Sequence, residues 1–552
     1  MKTTILFLVS LFSLLFSNNN YSQQPYMVKD INPGSPSSLN RFLLTNNNAL
    51  FFDANNGITG SELWKSDGTN AGTVMIKDIF PGSGSSLYTN TIPATSNGTL
   101  YFSADNGING YELWKSDGTA TGTVMVKDIN SIGNFTSDPR ELTNINGIIY
   151  FNATDGINGY ELWKSNGTAT GTVMVKDIDP GSPGTNASSG DPMGLINMND
   201  VLFFRANDPV FGTELWKSDG TAAGTVMVKN INSNSNVLSG SSVPLYLTNV
   251  NGTLFFGADN GINGFELWKS DGTDAGTVMV KEIFPGNSSQ FGYSSFLNNL
   301  TNVNGTLFFS AADSLNNNEL WKSDGTAAGT VKVKEINSTN GSSPNGLTNI
   351  NGTLYFSAND GINGIELWKS DGTESGTIMI KNLNPGALSS EPTAFTNING
   401  TVYFTANDGN GPELFKTDGT AIGTTDFNLS TPTSGGLARL NQLNGNLFFI
   451  HVTQLYGREL WGLDINSLST SENITNDNKF SIFPNPVNNI LTIQNHDNKS
   501  IDQITISDLT GKKVLEQNSS FSTINVEKLQ NGMYLLQLFS EGKFTVSKFI
   551  KI

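Results

Sequence analysis

A tripeptide, Glu-Leu-Trp, returns along this chain at intervals of 46 to 53 residues and limits what the chain can fold into. Its copies start at Glu62, Glu112, Glu161, Glu214, Glu266, Glu319 and Glu366, with a Glu-Leu-Phe variant at Glu413 and a last copy at Glu459. Six of them extend to the same octapeptide, ELWKSDGT. The copy at Glu161 carries Asn166 in place of Asp, Glu413 opens ELFKTDGT, and Glu459 opens the remnant ELWGLD. Self-similarity at this period marks a solenoid, a propeller or an array, because one small unit cannot bury its apolar surface alone and must stack on its neighbours.

The content of one unit separates these options. From Leu142 the chain reads LTNINGIIYFNATDGINGYELWKSNGTATGTVMVKDI. LTNI, IIYFNA, YELWKS and TVMVKDI are short strands, and NG, DGING and NGTATG are the turns between them. No helical period runs through the unit. Each unit is therefore a four-stranded antiparallel meander, the content of a propeller blade. Apolar residues run consecutively, as in Ile149-Tyr150-Phe151 and Val173-Met174-Val175. Such runs belong to sheets buried on both faces. The ninth unit stops after ELWGL without a fourth strand, and the orphan YMVKDI, Tyr26 to Ile31, supplies one. The expectation is an all-β, multi-bladed β-propeller of about nine four-stranded units, its ring closed by the N-terminal strand, since an open array would expose sheet edges at both ends.

The octapeptide reads as architecture. Asp117 and Gly118 suit the turn from the third strand to the fourth, where Asp bonds its own backbone and Gly accepts positive φ. Trp114 is placed to fill the space between blades. Glu112 and Lys115 fall on opposite strand faces and do not pair. The turn ahead of each copy, as in DNGINGYE at Asp105 or TDGINGYE at Thr154, gathers side-chain oxygens beside Gly. That makes calcium an alternative, with Asp105, Asn109, Asp155, Asn158, Asp259 and Asn263 as its ligands. The calcium-loop spacing D-x-[DN]-x-[DN]-G is absent, and Asn-Gly and Asp-Gly are ordinary hairpin residues. No catalytic, cofactor-binding or metal residue is assigned.

Composition removes several chemistries. The chain has no Cys, which excludes disulfides, thiolate zinc sites and Cys nucleophiles. Of its two His, His496 falls in the C-terminal segment, leaving His451 as the one candidate for a triad or metal site in the repeats. A net charge of -17 repels phosphate backbones, so no nucleic acid is expected. Arg140, Arg205, Arg439, Arg458 and His451 break the repeat. No nucleophile elbow, zinc helix or phosphate loop is present. Residues 1–22 pair Lys2 with an apolar run from Ile5 to Phe16, too short to span a bilayer, and read as a signal peptide. The repeats then occupy 23–464, a polar linker 465–478, and a separate small β-sandwich 479–552.

The spacing ELW-x-x-DGT, with its trailing GT-V-x-V-K-D-I, resembles the bacterial ELWxxDGT repeat family, which implies no particular activity. The C-terminal segment resembles the type A sorting domain of the type IX secretion system. The residues that carry this are Phe483-Pro484-Asn485-Pro486, Asp508 to Lys512, Asn531-Gly532-Met533-Tyr534 and the end Lys548 to Ile552. The resemblance implies export across the outer membrane of a Gram-negative bacterium. It also implies contact with the type IX machinery and a surface sortase, removal of the domain, and anchoring or release. The expected function is an extracellular or outer-membrane-surface binding module for a glycan or protein, with no transmembrane segment in the mature form. The alternatives are a propeller-type polysaccharide hydrolase or lyase and a structural surface-layer component.

Overall fold

The computed structural model describes residues 25–465 and 480–552, apart from 88–90, 133–134, 182–187, 234–239, 286–293, 315–316, 428–432, 496–500, 502, 509–512, 519–521 and 541–542. The expected signal peptide, all of the linker but residue 465, His496 and the turn at 509–512 lie outside the described residues. The chain divides into two compact units, Met1–Leu468 and Ser469–Ile552.

Among the described residues of the first unit there are nine four-stranded antiparallel sheets and no helix. Eight are consecutive meanders, and we call them blades 1 to 8: 39–77, 94–127, 140–176, 193–229, 245–281, 298–334, 345–381 and 393–426. Blade 9 joins Thr433–Leu443, Asn446–Thr453 and Gly457–Leu463 to the N-terminal strand Tyr26–Lys29. Tyr26 pairs with Gly462, Met27 with Trp461 and Lys29 with Leu460. The orphan strand thus completes the last blade, and the architecture is a closed propeller.

The turns follow from their residues. Asn146 and Gly147, between the first and second strands of blade 3, have φ of 51° and 89°. Two positive φ values define the hairpin turn that matches strand twist, and Asn-Gly adopts it most readily. The first strands of successive blades lie side by side, and their LTN residues bond across. Asn349 Nδ2 donates to the Asn302 carbonyl at 3.0 Å, and Thr301 Oγ1 to the Leu347 carbonyl at 3.2 Å. Thr45 Oγ1 donates to the Gln442 carbonyl at 3.1 Å, carrying the collar across the closure from blade 1 to blade 9.

The core lies in the seams. Leu267 packs with blade 6, while Trp268 one residue on packs with Phe203, Leu215 and Val228 of blade 4. Adjacent strand residues point to opposite faces, and here both faces are buried. Two lysines clasp each seam from blades 1–2 to blades 7–8. Lys269 Nζ donates to the Gly325 carbonyl at 2.8 Å, and Lys281 Nζ to the Thr330 carbonyl at 2.7 Å while standing 5.8 Å over the Trp321 ring. A cation over an indole face adds attraction to that bond. At the closing seam Lys29 Nζ donates to the Thr73 carbonyl at 2.8 Å.

The second unit has a three-stranded sheet, Phe480–Phe483, Ile490–Asn495 and Thr523–Asn525. It also has a four-stranded sheet, Lys513–Gln517, Gln503–Ser507, Gly532–Ser540 and Lys543–Lys551. They share one core of Leu491, Ile493, Ile504, Ile506, Leu536, Leu538 and Phe549. Asn485 ties the start of the unit to its last strand: its Nδ2 donates to the Lys548 carbonyl at 3.0 Å, and its Oδ1 accepts from the Ile550 amide at 2.9 Å.

Candidate functional site

Every side chain of the octapeptide has a scaffolding task. In blade 5, Glu266 is fully buried and accepts the amides of Ile283 at 2.8 Å and Phe284 at 3.2 Å. Trp268 fills one seam and Lys269 clasps the other. Ser270 Oγ lies 2.8 Å from Thr277 Oγ1 and accepts the Gly272 amide at 2.9 Å. Asp271 Oδ1 accepts the amide and hydroxyl of Thr273 at 2.8 and 2.7 Å, which closes the turn and lowers the carboxyl's pKa. Gly272 has φ of 88°, and a Cβ there would come within 2.9 Å of the Phe203 ring. Asn166 makes the same pair of bonds to Thr168, so the turn needs the oxygen and not the charge.

The buried glutamates were not anticipated from sequence. Glu112 Oε2 accepts the Ile129 amide at 2.8 Å and the Ser137 hydroxyl at 2.6 Å, holding the crossover to blade 3. Burial pushes the carboxyls of Glu62, Glu112, Glu161, Glu266 and Glu459 up to about 7. Glu214, Glu319 and Glu366 move the same way for the same reason. The signal was available: Glu, like the Leu after it, is replaced in none of the nine copies.

With the repeated residues engaged in seams and turns, the sites open to a ligand are those where blades differ. Strands alternate in direction, so the second-to-third hairpins and the crossovers between blades open on one face of the ring. On that side the first strands of blade 1 and of blades 3 to 9 carry a bulge just before the LTN-like segment. The register shifts between Arg140 and Thr143, Leu245 and Thr248, and Asn298 and Thr301. One bulge residue per blade takes positive φ: Glu141, Gly194, Tyr246, Asn299, Gly346, Ala394 and Arg439 in blades 3 to 9. The backbone repeats and the side chains do not. A non-glycine residue in this region costs energy, and such strain collects at functional sites.

Between blades 5 and 6, reaching the start of blade 7, this mouth deepens into a cleft of about 610 Å³. Tyr246 and Phe296 line it and are 45% and 54% exposed. Asn298, Asn299, Asn318 and Asn345 add amides, and Ser310 and Ser343 hydroxyls. Asn299 Nδ2 donates to the Pro344 carbonyl at 3.3 Å, and Ser310 Oγ donates to Asn318 Oδ1. Large exposed aromatics beside convergent amides suit a ligand with apolar faces and many hydroxyls. None of these residues was named from sequence. The available signal was variability between copies just ahead of each LTN, as in LYLTN and NNLTN.

A charged cluster occupies the same face at blades 3 and 4. Arg140 pairs with Asp138, and its guanidinium stands 5.3 Å over the Tyr160 ring. Asn152 Nδ2 donates to Asp191 Oδ1 at 2.9 Å. The bond to Asp138 holds the Arg140 guanidinium above its usual pKa. Burial, then the charge of Asp138, raises the Tyr160 phenol.

The calcium alternative's residues close their own turns. Asp105 Oδ1 accepts the Gly107 amide at 2.7 Å, and Asp259 Oδ1 the Gly261 amide at 2.7 Å. Asp155 Oδ1 accepts the Asn158 amide at 2.9 Å and its Oδ2 the Asn158 side chain at 2.8 Å. Asn109 and Asn263 each accept a side-chain amide from three residues back, Asn106 and Asn260. Among the described residues no three His, Asp or Glu come together in a way that could hold a metal ion. His451 is buried edge-on to Trp461, with ring centroids 5.0 Å apart. Burial lowers its pKa to about 4, which fits a core residue rather than a base in a site.

Comparison with known proteins places residues 481–552 in the secretion system C-terminal sorting domain family. This domain directs the chain through type IX secretion to the cell surface or extracellular space. No helix among the described residues is long and apolar enough to cross a membrane. A stretch of 134 residues is 28% identical to an endo-acting ulvan lyase of Formosa agariphila, covering 22% of this chain and 25% of that enzyme. The chain thus spans about a quarter of the curated relative's length. Among solved structures, it is similar to PorZ, an essential surface component of the type IX secretion system of Porphyromonas gingivalis. The TM-score is 0.32 and the identity 13%, over 93% of this chain and 75% of that one. It is also similar to the β-propeller domain of the Trilobed protease from Pyrococcus furiosus, with a TM-score of 0.31 and 10% identity over 62% of this chain and 97% of that one.

Proposed function

We propose that this protein is an exported glycan-binding module whose binding surface is the mouth of the ring. One observation carries the reading: the cleft that sets exposed Tyr246 and Phe296 among four Asn side chains. Sugar rings present C–H faces that stack on aromatics, and their hydroxyls pair with amides that both donate and accept. On this reading the repeats belong to the ELWxxDGT family, and the sorting domain engages the type IX machinery and is removed by a surface sortase. A glycan array probed with the mature chain tests it. Tyr246→Ala is expected to weaken binding about tenfold, the loss of roughly 1.4 kcal/mol of stacking. Equal binding by parent and variant would count against the cleft.

A second reading, a polysaccharide hydrolase or lyase, is favoured by the group Asp138, Arg140, Tyr160 and Asp191. Two carboxyls and a phenol are the parts acid–base cleavage of a glycan uses. Asp138 is already paired to Arg140, and Tyr160 titrates above its ordinary range, so neither is poised as a base near neutral pH. Fragments of shortened chain length on incubation with a bound polysaccharide would establish it.

A further inference from the structure

The chain has five arginines, Arg41, Arg140, Arg205, Arg439 and Arg458, and all fall at positions that edge the same mouth. Arg140 opens the first strand of blade 3, and Arg41 holds the matching register in blade 1, its backbone paired with Asp53 as Arg140 pairs with Asn152. Arg205 lies within the second strand of blade 4, opposite Met193, as Ser310 of the cleft stands opposite Asn298 in blade 6. Arg439 is the bulge residue of blade 9, at φ of 58°. Arg458 is the second residue of the third strand of blade 9, just ahead of Glu459, as Phe265, which also lines the cleft, stands just ahead of Glu266 in blade 5. In the blades the recurring lysines of ELWK and VMVK serve the seams. The two cations are thus sorted by place: lysine between blades, arginine at the mouth.

Three of these arginines have no carboxylate partner among the described residues. Arg205 is half-buried, and its guanidinium donates to the Met193 sulfur at 3.4 Å. Arg439 and Arg458 are exposed. In a chain of net charge -17, carboxylates are plentiful, yet three of those at this mouth are engaged elsewhere. Asp138 holds Arg140, Asp191 accepts from Asn152, and Glu141 Oε2 accepts the Gly194 amide at 2.9 Å. Blades 7 and 8 carry only Gly346 and Ala394 at their bulges, with exposed Glu391 beside them. The arginines and the aromatic cleft therefore follow one arc, from blade 9 through blades 1, 3 and 4 to blades 5 and 6.

We propose that this arc binds an anionic polysaccharide, one whose sugars carry carboxylate or sulfate groups, with Arg205, Arg439 and Arg458 as its anion contacts. The proposal rests on the glycan reading and adds the charge class of the ligand. Guanidinium is planar, weakly hydrated and matched to two oxygens at once, which suits it to carboxylate and sulfate and distinguishes it from lysine.

Binding of the mature full chain is measured to four immobilised polymers: dextran, dextran sulfate, polygalacturonate and polyglutamate. The expected result is binding to dextran sulfate or polygalacturonate well above dextran, weakened about tenfold or more on raising salt to several times physiological strength. The combined variant Arg205→Gln, Arg439→Gln, Arg458→Gln is expected to lose roughly thirtyfold or more of that affinity. Arg439→Gln alone, at an exposed position, is expected to lose about threefold to tenfold with an unchanged unfolding midpoint, should the combined variant not fold. Dextran bound as well as the charged polysaccharides would overturn the anionic class and leave the glycan reading standing. Polyglutamate bound as well as polygalacturonate would overturn the glycan reading, and this proposal with it. Binding to none of the four overturns both. Full affinity in the arginine variants overturns the assignment of these residues.

Discussion

Glu112 is a carboxyl group shut away from water, and its neighbours accommodate it in either protonation state. Ser137 Oγ lies 2.6 Å from Glu112 Oε2 and 3.1 Å from the Tyr111 carbonyl. When the carboxyl is ionised, the hydroxyl donates to it. When it is protonated, the acid can donate to the hydroxyl, which then turns to the carbonyl. Ser242 stands the same way between Glu214 and the Thr213 carbonyl, and Ser390 between Glu366 and the Ile365 carbonyl. Burial, with a smaller contribution from the charge of Asp128, raises the Glu112 carboxyl from 4.5 to about 7. The folded state therefore holds this proton more tightly than the unfolded chain does. The stabilisation is complete below about 4.5 and is lost as pH rises through about 7. His451 acts in the opposite sense, since its lowered pKa costs stability as pH falls from 6.5 towards 4. Comparing parent with Glu112→Gln cancels that contribution. The unfolding midpoint of the variant is expected to decline less between pH 5 and pH 8 than the parent's, values spanning roughly the titration range of such a carboxyl. Parallel curves would show that this carboxyl does not titrate with folding.

The N-terminal strand shows how much of the element scale is legible in the sequence. YMVKDI could be matched to blade 9 because that unit lacks its fourth strand and the chain starts with a spare copy. Deleting 23–31 is expected to lower the unfolding midpoint. It removes the pairing to Leu460–Gly462, the Lys29 clasp on blade 1 and the Ile31 amide that Glu459 accepts at 3.1 Å. An unchanged midpoint in matched proteins would sink the closure. Hairpins were legible too, because Asn-Gly states its backbone geometry in two letters. The lysine clasps were not. Lys269 reaches a backbone carbonyl, a group every residue has, so sequence cannot name its acceptor. The cleft was hidden for a different reason. Tyr246, Asn299 and Arg439 share a bulge position that exists only once strand register is known. Attention to what repeats passes over the residues that do not.

At the scale of the molecule, the two units divide the work: one holds the mouth, the other carries the export address. A chain ending at Asp464 is expected to keep the closed ring, since the closure partners Tyr26–Lys29 and Gly457–Leu463 remain. It is also expected to fail to reach the cell surface, as fractionation of the native host would report. Surface display of the shortened chain would contradict the address. The seams themselves have a wider consequence. From blades 1–2 to blades 7–8 they are polar in the same sense, with lysine donors on the earlier blade and carbonyl acceptors on the later one, and the closing seam keeps that sense through Lys29. Contacts of this head-to-tail kind do not record how many copies precede them. Unequal crossing-over between two repeats would remove or insert one whole blade, and each new neighbour would still meet its standard partner. The surviving seams would keep their contacts, ring closure would adjust to the new count, and the order of residues around the mouth would be rewritten. Inheritance can edit the residues around the mouth of this protein one copy at a time.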